Sequence, residues 1–173
     1  MQRVKFILFF LLCMATNLVF AASGDGSSCT SLTTTEQQYV DKVKAMFESP
    51  QHLWMLAQDP KVYAEHYSPS FVFYGNGLQE SSQQFRNHML QNIAHWKTSH
   101  QSGNTMKIVD IIAQCDKVVV RLKVSATAKS GKKYTLDSIE ILKFNSKGQI
   151  THWWETAYPD WREMIKKEGE HLG

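Results

Sequence analysis

The sequence predicts an α+β domain. Three observations carry that prediction: apolar residues recur at helical spacing early in the chain, they alternate as in strands after about residue 107, and those later segments are separated only by short turns. With 43% hydrophobic and 12% aromatic residues among 173, the chain can bury one good core, and its length suits one domain.

The first residues read as a processing signal. Arg3 and Lys5 precede an apolar run from Phe6 to Leu12, and Val19-Phe20-Ala21 offers the small residue that a signal peptidase reads, so we expect a signal peptide over 1–21. An uncleaved anchor fits less well, because Thr16 and Asn17 interrupt a run that is short for a span. Lipid attachment at Cys13 is disfavoured by Leu12, which stands where a small residue belongs. The expected product is exported, periplasmic or secreted. Losing Arg3 and Lys5 takes the basic count from 19 to 17 against 16 acids, a formal charge of +1, so charge gives no reason to expect nucleic acid or an anionic membrane as partner. Residues 22–33 are small and polar, a linker. Cys29 and Cys115 remain as an even pair in an oxidising compartment; a disulfide between them and two separate thiols both stay open.

Thr33 and Glu36 have capping-box spacing, and Tyr39, Val40, Val43, Met46 and Phe47 recur on one face, which predicts a helix over about 34–48. A weaker helical piece covers 52–58. Asp59-Pro60 is a cap followed by a first-turn proline, opening a short helix to His66 that Ser68-Pro69 ends. Phe71 to Tyr74 reads as a strand closed by Gly75-Asn76-Gly77. Ser81 or Ser82 caps a helix to about Lys97, with Phe85, Met89, Ile93 and Trp96 on its buried stripe. His88, Asn92 and His95 adjoin that stripe, and since no third ligand with a supporting pattern accompanies the histidines, we expect no metal. Segments 107–114, 117–127, 134–144 and 150–158 follow as four sequential antiparallel strands. Trp161, Met164 and Ile165 suggest a helical tail over 161–173.

The last two strands carry the candidate chemistry. Glu140 and Glu155 sit in otherwise apolar, aromatic runs flanking Asn145-Ser146-Lys147-Gly148, a β-hairpin. A two-residue loop sets the carboxylates face to face and a four-residue loop sets them diagonally on one face; a three-residue loop closing with Gly148 groups Glu140 with His152 and Trp154 instead. Two carboxylates in a partly apolar site cannot both ionise easily, so one becomes a proton donor near neutral pH. Tyr63, Tyr67, Phe73, Trp96 and Trp153 are candidate walls for an apolar pocket, or else ordinary core.

The run Met106 to Arg121, followed by Ile139-Glu140-Ile141-Leu142-Lys143-Phe144 and Gly148 to Glu155, resembles the SnoaL-like branch of the nuclear transport factor 2-like superfamily, as do the element order and the segment Tyr67 to Met89. The resemblance covers about 34–160. It implies a cone-shaped, mainly antiparallel curved sheet wrapped around N-terminal helices, a deep apolar pocket for a small molecule, a homodimer joined through the sheet, and proton transfer with neither metal nor organic cofactor. It places Glu155 at a proton-transfer position and Glu140 at a second pocket position. Three departures stand out: Trp153 replaces a usual histidine, Cys115 replaces a usual turn glycine, and Phe71 to Tyr74 lacks the carboxylate of ketosteroid-isomerase-like members. Acid/base catalysis, ligand carriage without catalysis, and an interaction module are the functions this leaves.

Overall fold

The structure, a computed structural model, describes residues 32–48, 50–99, 105–127 and 131–160, without the side chains of residues 50, 51, 54 and 95–99. The signal peptide, Cys29 and its pairing, the tail helix, and the Trp96 and His95 side chains lie outside the described residues.

Three helices come first, α1 (Thr34–Phe47), α2 (Pro50–Gln58) and α3 (Pro60–His66). Strands β1 (Tyr67–Gly75) and β2 (Leu78–Ser81) form a hairpin, α4 (Ser82–Ser99) follows, and β3 (Thr105–Gln114), β4 (Lys117–Thr127), β5 (Lys133–Phe144) and β6 (Ile150–Tyr158) complete one sheet. The strand order is β2-β1-β6-β5-β4-β3, with β1 and β6 parallel and the other neighbours antiparallel. The fold is α+β, a curved and mostly antiparallel sheet closed over the N-terminal helices.

Strand β2 has too few apolar residues to show in the sequence. It forms because Asn76 and Gly77 both take positive φ, 45° and 84°, the two-residue turn whose twist suits paired strands. β1 also starts earlier than the sequence suggests. Pro69 falls within the register break between the Tyr67–Ile150 and Val72–His152 pairs, where a missing N–H costs no ladder bond.

Helix α1 is capped as its sequence requires: Thr33 Oγ1 accepts from the Glu36 N–H and Glu36 accepts in return from the Thr33 N–H, an arrangement that stabilises by about 1 kcal/mol. Glu36 also accepts from the Cys115 N–H at 2.7 Å, supporting a turn residue held at φ 54° where glycine would be less strained. The buried stripe of α1 then faces the sheet. Tyr39 stacks on Phe144 at 4.4 Å and donates to the Asn145 carbonyl, while Lys42 donates to the Gly148 carbonyl at 2.7 Å. These contacts clamp the β5–β6 turn to the helix, and the turn sets the position of everything on the hairpin.

Candidate functional site

The β5–β6 register resolves the question that the sequence left open. The turn itself is the odd one: Asn145 pairs with Gln149 around Ser146-Lys147-Gly148, with Gly148 at φ 71°. Taken alone, that loop would set Glu140 opposite Trp154. A β-bulge at Thr151, between the Phe144–Ile150 and Lys143–His152 pairs, shifts the strand by one residue and brings Glu140 opposite Glu155. The Thr151 hydroxyl donates to the Lys143 carbonyl at 3.2 Å, serving backbone that the bulge leaves off the ladder.

Side-chain alternation does the rest. Ser138, Glu140 and Leu142 of β5 and Trp153, Glu155 and Ala157 of β6 face inward, and His152 and Trp154 face outward. All of these inward side chains but the core residue Leu142 line a cavity of about 170 Å³, in the size class that accepts a single aromatic ring. Phe73 and Leu122 add to its sheet wall; Phe47, Phe85, His88 and Asn92 belong to its helical wall.

Glu140 is the centre of this arrangement. It is 3% exposed, and Trp153 Nε1 donates to its Oε2 at 2.7 Å. Trp153 is itself fixed by Phe47, Phe73 and Phe85, whose ring centroids lie 5.6, 5.9 and 5.3 Å away. The indole thus fills the place of the histidine that the resemblance leads one to expect, and being only a donor it cannot relay a proton. Burial first, and the neighbouring Glu155 second, hold the Glu140 carboxyl well above the usual carboxylate range, against the opposing effect of hydrogen bonds from Trp153 and Ser138. Glu155 is the less buried of the pair, and both line the cavity.

Of the residues expected at the site, Glu140, Glu155, Phe73 and Trp153 meet at the cavity. His152 does not: the bulge turns it outward, where it stacks on Trp154 at 5.2 Å and lies parallel to Tyr74 at 6.5 Å. Tyr63 and Tyr67 are core rather than pocket wall. They stack on one another at 4.5 Å; burial pushes the Tyr63 phenol up to about 12, and its hydroxyl donates to the Ser82 carbonyl. The Tyr67 hydroxyl is buried without a partner among the described residues, a cost accepted for the ring's packing. Cys115 is exposed on the β3–β4 turn. Sequence reasoning noticed His88 and Asn92 but gave them no place in the pocket, although their spacing beside Phe85 and Met89 was the available signal. Gly75, paired with Glu155, was read only as a turn residue; a Cβ there would lie 2.3 Å from the Phe73 ring, so glycine makes room for this pocket wall. Among the described residues, no three His, Cys, Asp or Glu side chains gather as a metal site, and no helix is long and apolar enough to cross a membrane.

The family described as "SnoaL-like domain" matches over residues 37–153. No curated protein matches the sequence. Among solved structures, the chain is similar to AclR, a putative hydroxylase from Streptomyces galilaeus, with 18% identity, 78% of this chain and 98% of that chain covered, and a TM-score of 0.57. A putative SnoaL-like polyketide cyclase from Jannaschia sp. CCS1 is similar at 16% identity, with 79% and 94% covered and a TM-score of 0.57. The BvnE pinacolase from Penicillium brevicompactum is similar at 16% identity, with 84% and 99% covered and a TM-score of 0.60.

Proposed function

The chain belongs to the SnoaL-like domain family, and from that premise we propose that it takes a small, largely apolar molecule into the cavity and moves a proton on it with Glu155 and Glu140, in cofactor-independent chemistry of the lyase or isomerase type. The observation that carries this reading is the direct pairing of the two carboxyls on the cavity wall. Glu140, buried and held by Trp153, keeps a proton that an exposed glutamate would lose; Glu155, more accessible, is the group that exchanges a proton with a bound carbon acid. Replacing the family's histidine by an indole leaves this pair as the acid/base apparatus. The neighbours' names span a hydroxylase, a cyclase and a pinacolase, so they support the scaffold and leave the chemistry to the residues in the cavity.

Ligand carriage without catalysis is the alternative, favoured by a lining that is mostly apolar. We propose that a second copy of the chain covers the outer sheet face, which exposes Ile112 and Ile139 and carries the Tyr74–His152–Trp154 rings. The charged-then-apolar pattern of residues 1–21 supports export.

A ¹³C NMR titration of the glutamate carboxyls, assigned with Glu140→Gln and Glu155→Gln, tests the reading. We expect one carboxyl to titrate well above 4.5 and to respond when the partner is substituted. Two carboxyls titrating independently at that ordinary value would sink the acid/base assignment and leave the carrier.

A further inference from the structure

Among the described residues glycine serves two purposes. Gly77, Gly131 and Gly148 have φ of 84°, 85° and 71°, and a Cβ added to any of them would meet no described atom within 4 Å, so glycine is there for its backbone freedom. Gly75 is the opposite case. It ends β1 without the positive φ that calls for glycine, paired with Leu78 on one side and Glu155 on the other, and the turn's demand falls on Asn76 and Gly77 instead. What Gly75 lacks is room: an added Cβ would overlap Cζ of the Phe73 ring and stand 2.6 Å from its Cε1.

Phe71, Phe73 and Gly75 alternate as buried residues along β1, so the ring and the bare glycine share the inner face. The ring lies along the strand, from the row of its own partner Trp153 toward the row of Glu155. Its other flanks are occupied. Phe85 and Trp153 stand 4.7 and 5.9 Å away between ring centroids, and on the β2 side the Phe73 partner Glu80 meets His88 Nδ1 of α4 at 3.0 Å. The direction left to the ring is the cavity that it lines.

We propose that Gly75 is the specificity-determining position of this pocket: having no side chain, it lets the Phe73 ring lie back on β1, and a side chain there turns that ring into a plug before the carboxyl pair. This rests on the pocket reading above and deepens it by naming what limits the size of the ligand. The three heavy atoms nearest to an added Cβ all belong to the Phe73 ring, so a substitution displaces a side chain that can rotate and not the sheet. A displaced phenyl ring has the size of benzene, the guest that an apolar cavity of about 150 Å³ accepts, so ring and guest compete for one volume.

Benzene binding to the full chain, followed by NMR, tests it. Gly75→Ala should weaken benzene by about tenfold or more, and adding Phe73→Leu to that variant, which removes the plug, should bring benzene back to within about threefold of the parent. Phe73→Leu alone, which keeps Gly75, should bind naphthalene about tenfold more tightly than the parent does. Benzene held equally by the parent and Gly75→Ala overturns the proposal. So does a double variant that stays as weak as Gly75→Ala, because the loss would then not run through the ring. If Gly75→Ala does not fold, the naphthalene comparison decides, and equal affinity in Phe73→Leu and the parent overturns the proposal. Benzene that fails to bind the unsubstituted chain, or binds without moving the Glu140 or Glu155 carboxyl resonances, brings down the pocket reading and this proposal with it.

Discussion

The two faces of the β5–β6 hairpin are built from interleaved residues of the same short stretch, yet they differ in almost every physical respect. Inward, Glu140 and Trp153 are 3% and 2% exposed, and one hydrogen bond joins them. Outward, Ile139 is 52% exposed, and Tyr74, His152 and Trp154 form parallel stacked rings half in contact with water. A titratable group on the inner face has its proton affinity set by burial and by its neighbour, whereas an aromatic on the outer face gains only stacking. The contrast depends on one extra residue, because without the bulge at Thr151 the turn would pair Glu140 with Trp154 and exchange the faces of β6.

Glu155→Gln gives the largest effect expected on the inner face. Turnover should fall by about 100-fold or more, the usual worth of a positioned acid or base, while the unfolding midpoint stays where it was. Unchanged turnover would remove Glu155 from the reaction. Matched tryptophan substitutions come next. Trp153→Phe keeps a ring among Phe47, Phe73 and Phe85 but withdraws the donor from a buried carboxyl, and should cost about 1–3 kcal/mol in denaturant unfolding while raising the Glu140 pKa further. Trp154→Phe on the outer face should stay within about 0.5 kcal/mol. Equal costs would erase the distinction between the faces.

Much of this was legible in the sequence. The helical stripes, the capping box and the alternation of the last strands give the fold class, because burial follows period and period is written in residue order. The carboxyl pair was legible only as one of two registers. Turn chemistry at Asn145 to Gly148 admits the three-residue loop that forms without selecting it, and the bulge that reverses its consequence has no local signature in Ile150-Thr151-His152. Glu80 was invisible for a related reason: β2 owes its existence to a turn and an edge rather than to its own side chains. Tyr63 and Tyr67 stayed open between pocket wall and core because a core aromatic and a pocket aromatic look alike until their neighbours are known.

The pH dependence of stability sharpens the comparison in another way. Glu140 binds its proton more tightly when folded than when unfolded, so its contribution is fully present below the ordinary glutamate value of about 4.5 and is lost as pH rises through the folded value. Each unit of separation between those values is worth about 1.4 kcal/mol. Glu140→Gln lacks the ionisation but keeps an oxygen to accept from Trp153. The variant should therefore gain stability relative to the parent between pH 5 and pH 8, by roughly 1 kcal/mol or more. A difference between the two chains that stays constant with pH would mean that Glu140 ionises in the folded protein as it does in water.

Thr151→Val carries the smallest effect and asks what holds the bulge. The substitution removes the hydroxyl that serves the Lys143 carbonyl and should cost about 1 kcal/mol. The register should nevertheless persist, because sliding β6 by one residue would expose Trp153 and Ala157 and bury His152 and Trp154 against Phe47 and Phe85. Burying one large apolar side chain is worth about 1.5–3 kcal/mol, more than the lost hydrogen bond, so core contacts and not the threonine hydroxyl decide which face Glu155 joins. Cross-strand NOEs between the Glu140 and Glu155 Hα protons check it. Their replacement by Glu140–Trp154 contacts in the valine variant would give the threonine hydroxyl, rather than the core, control of the site.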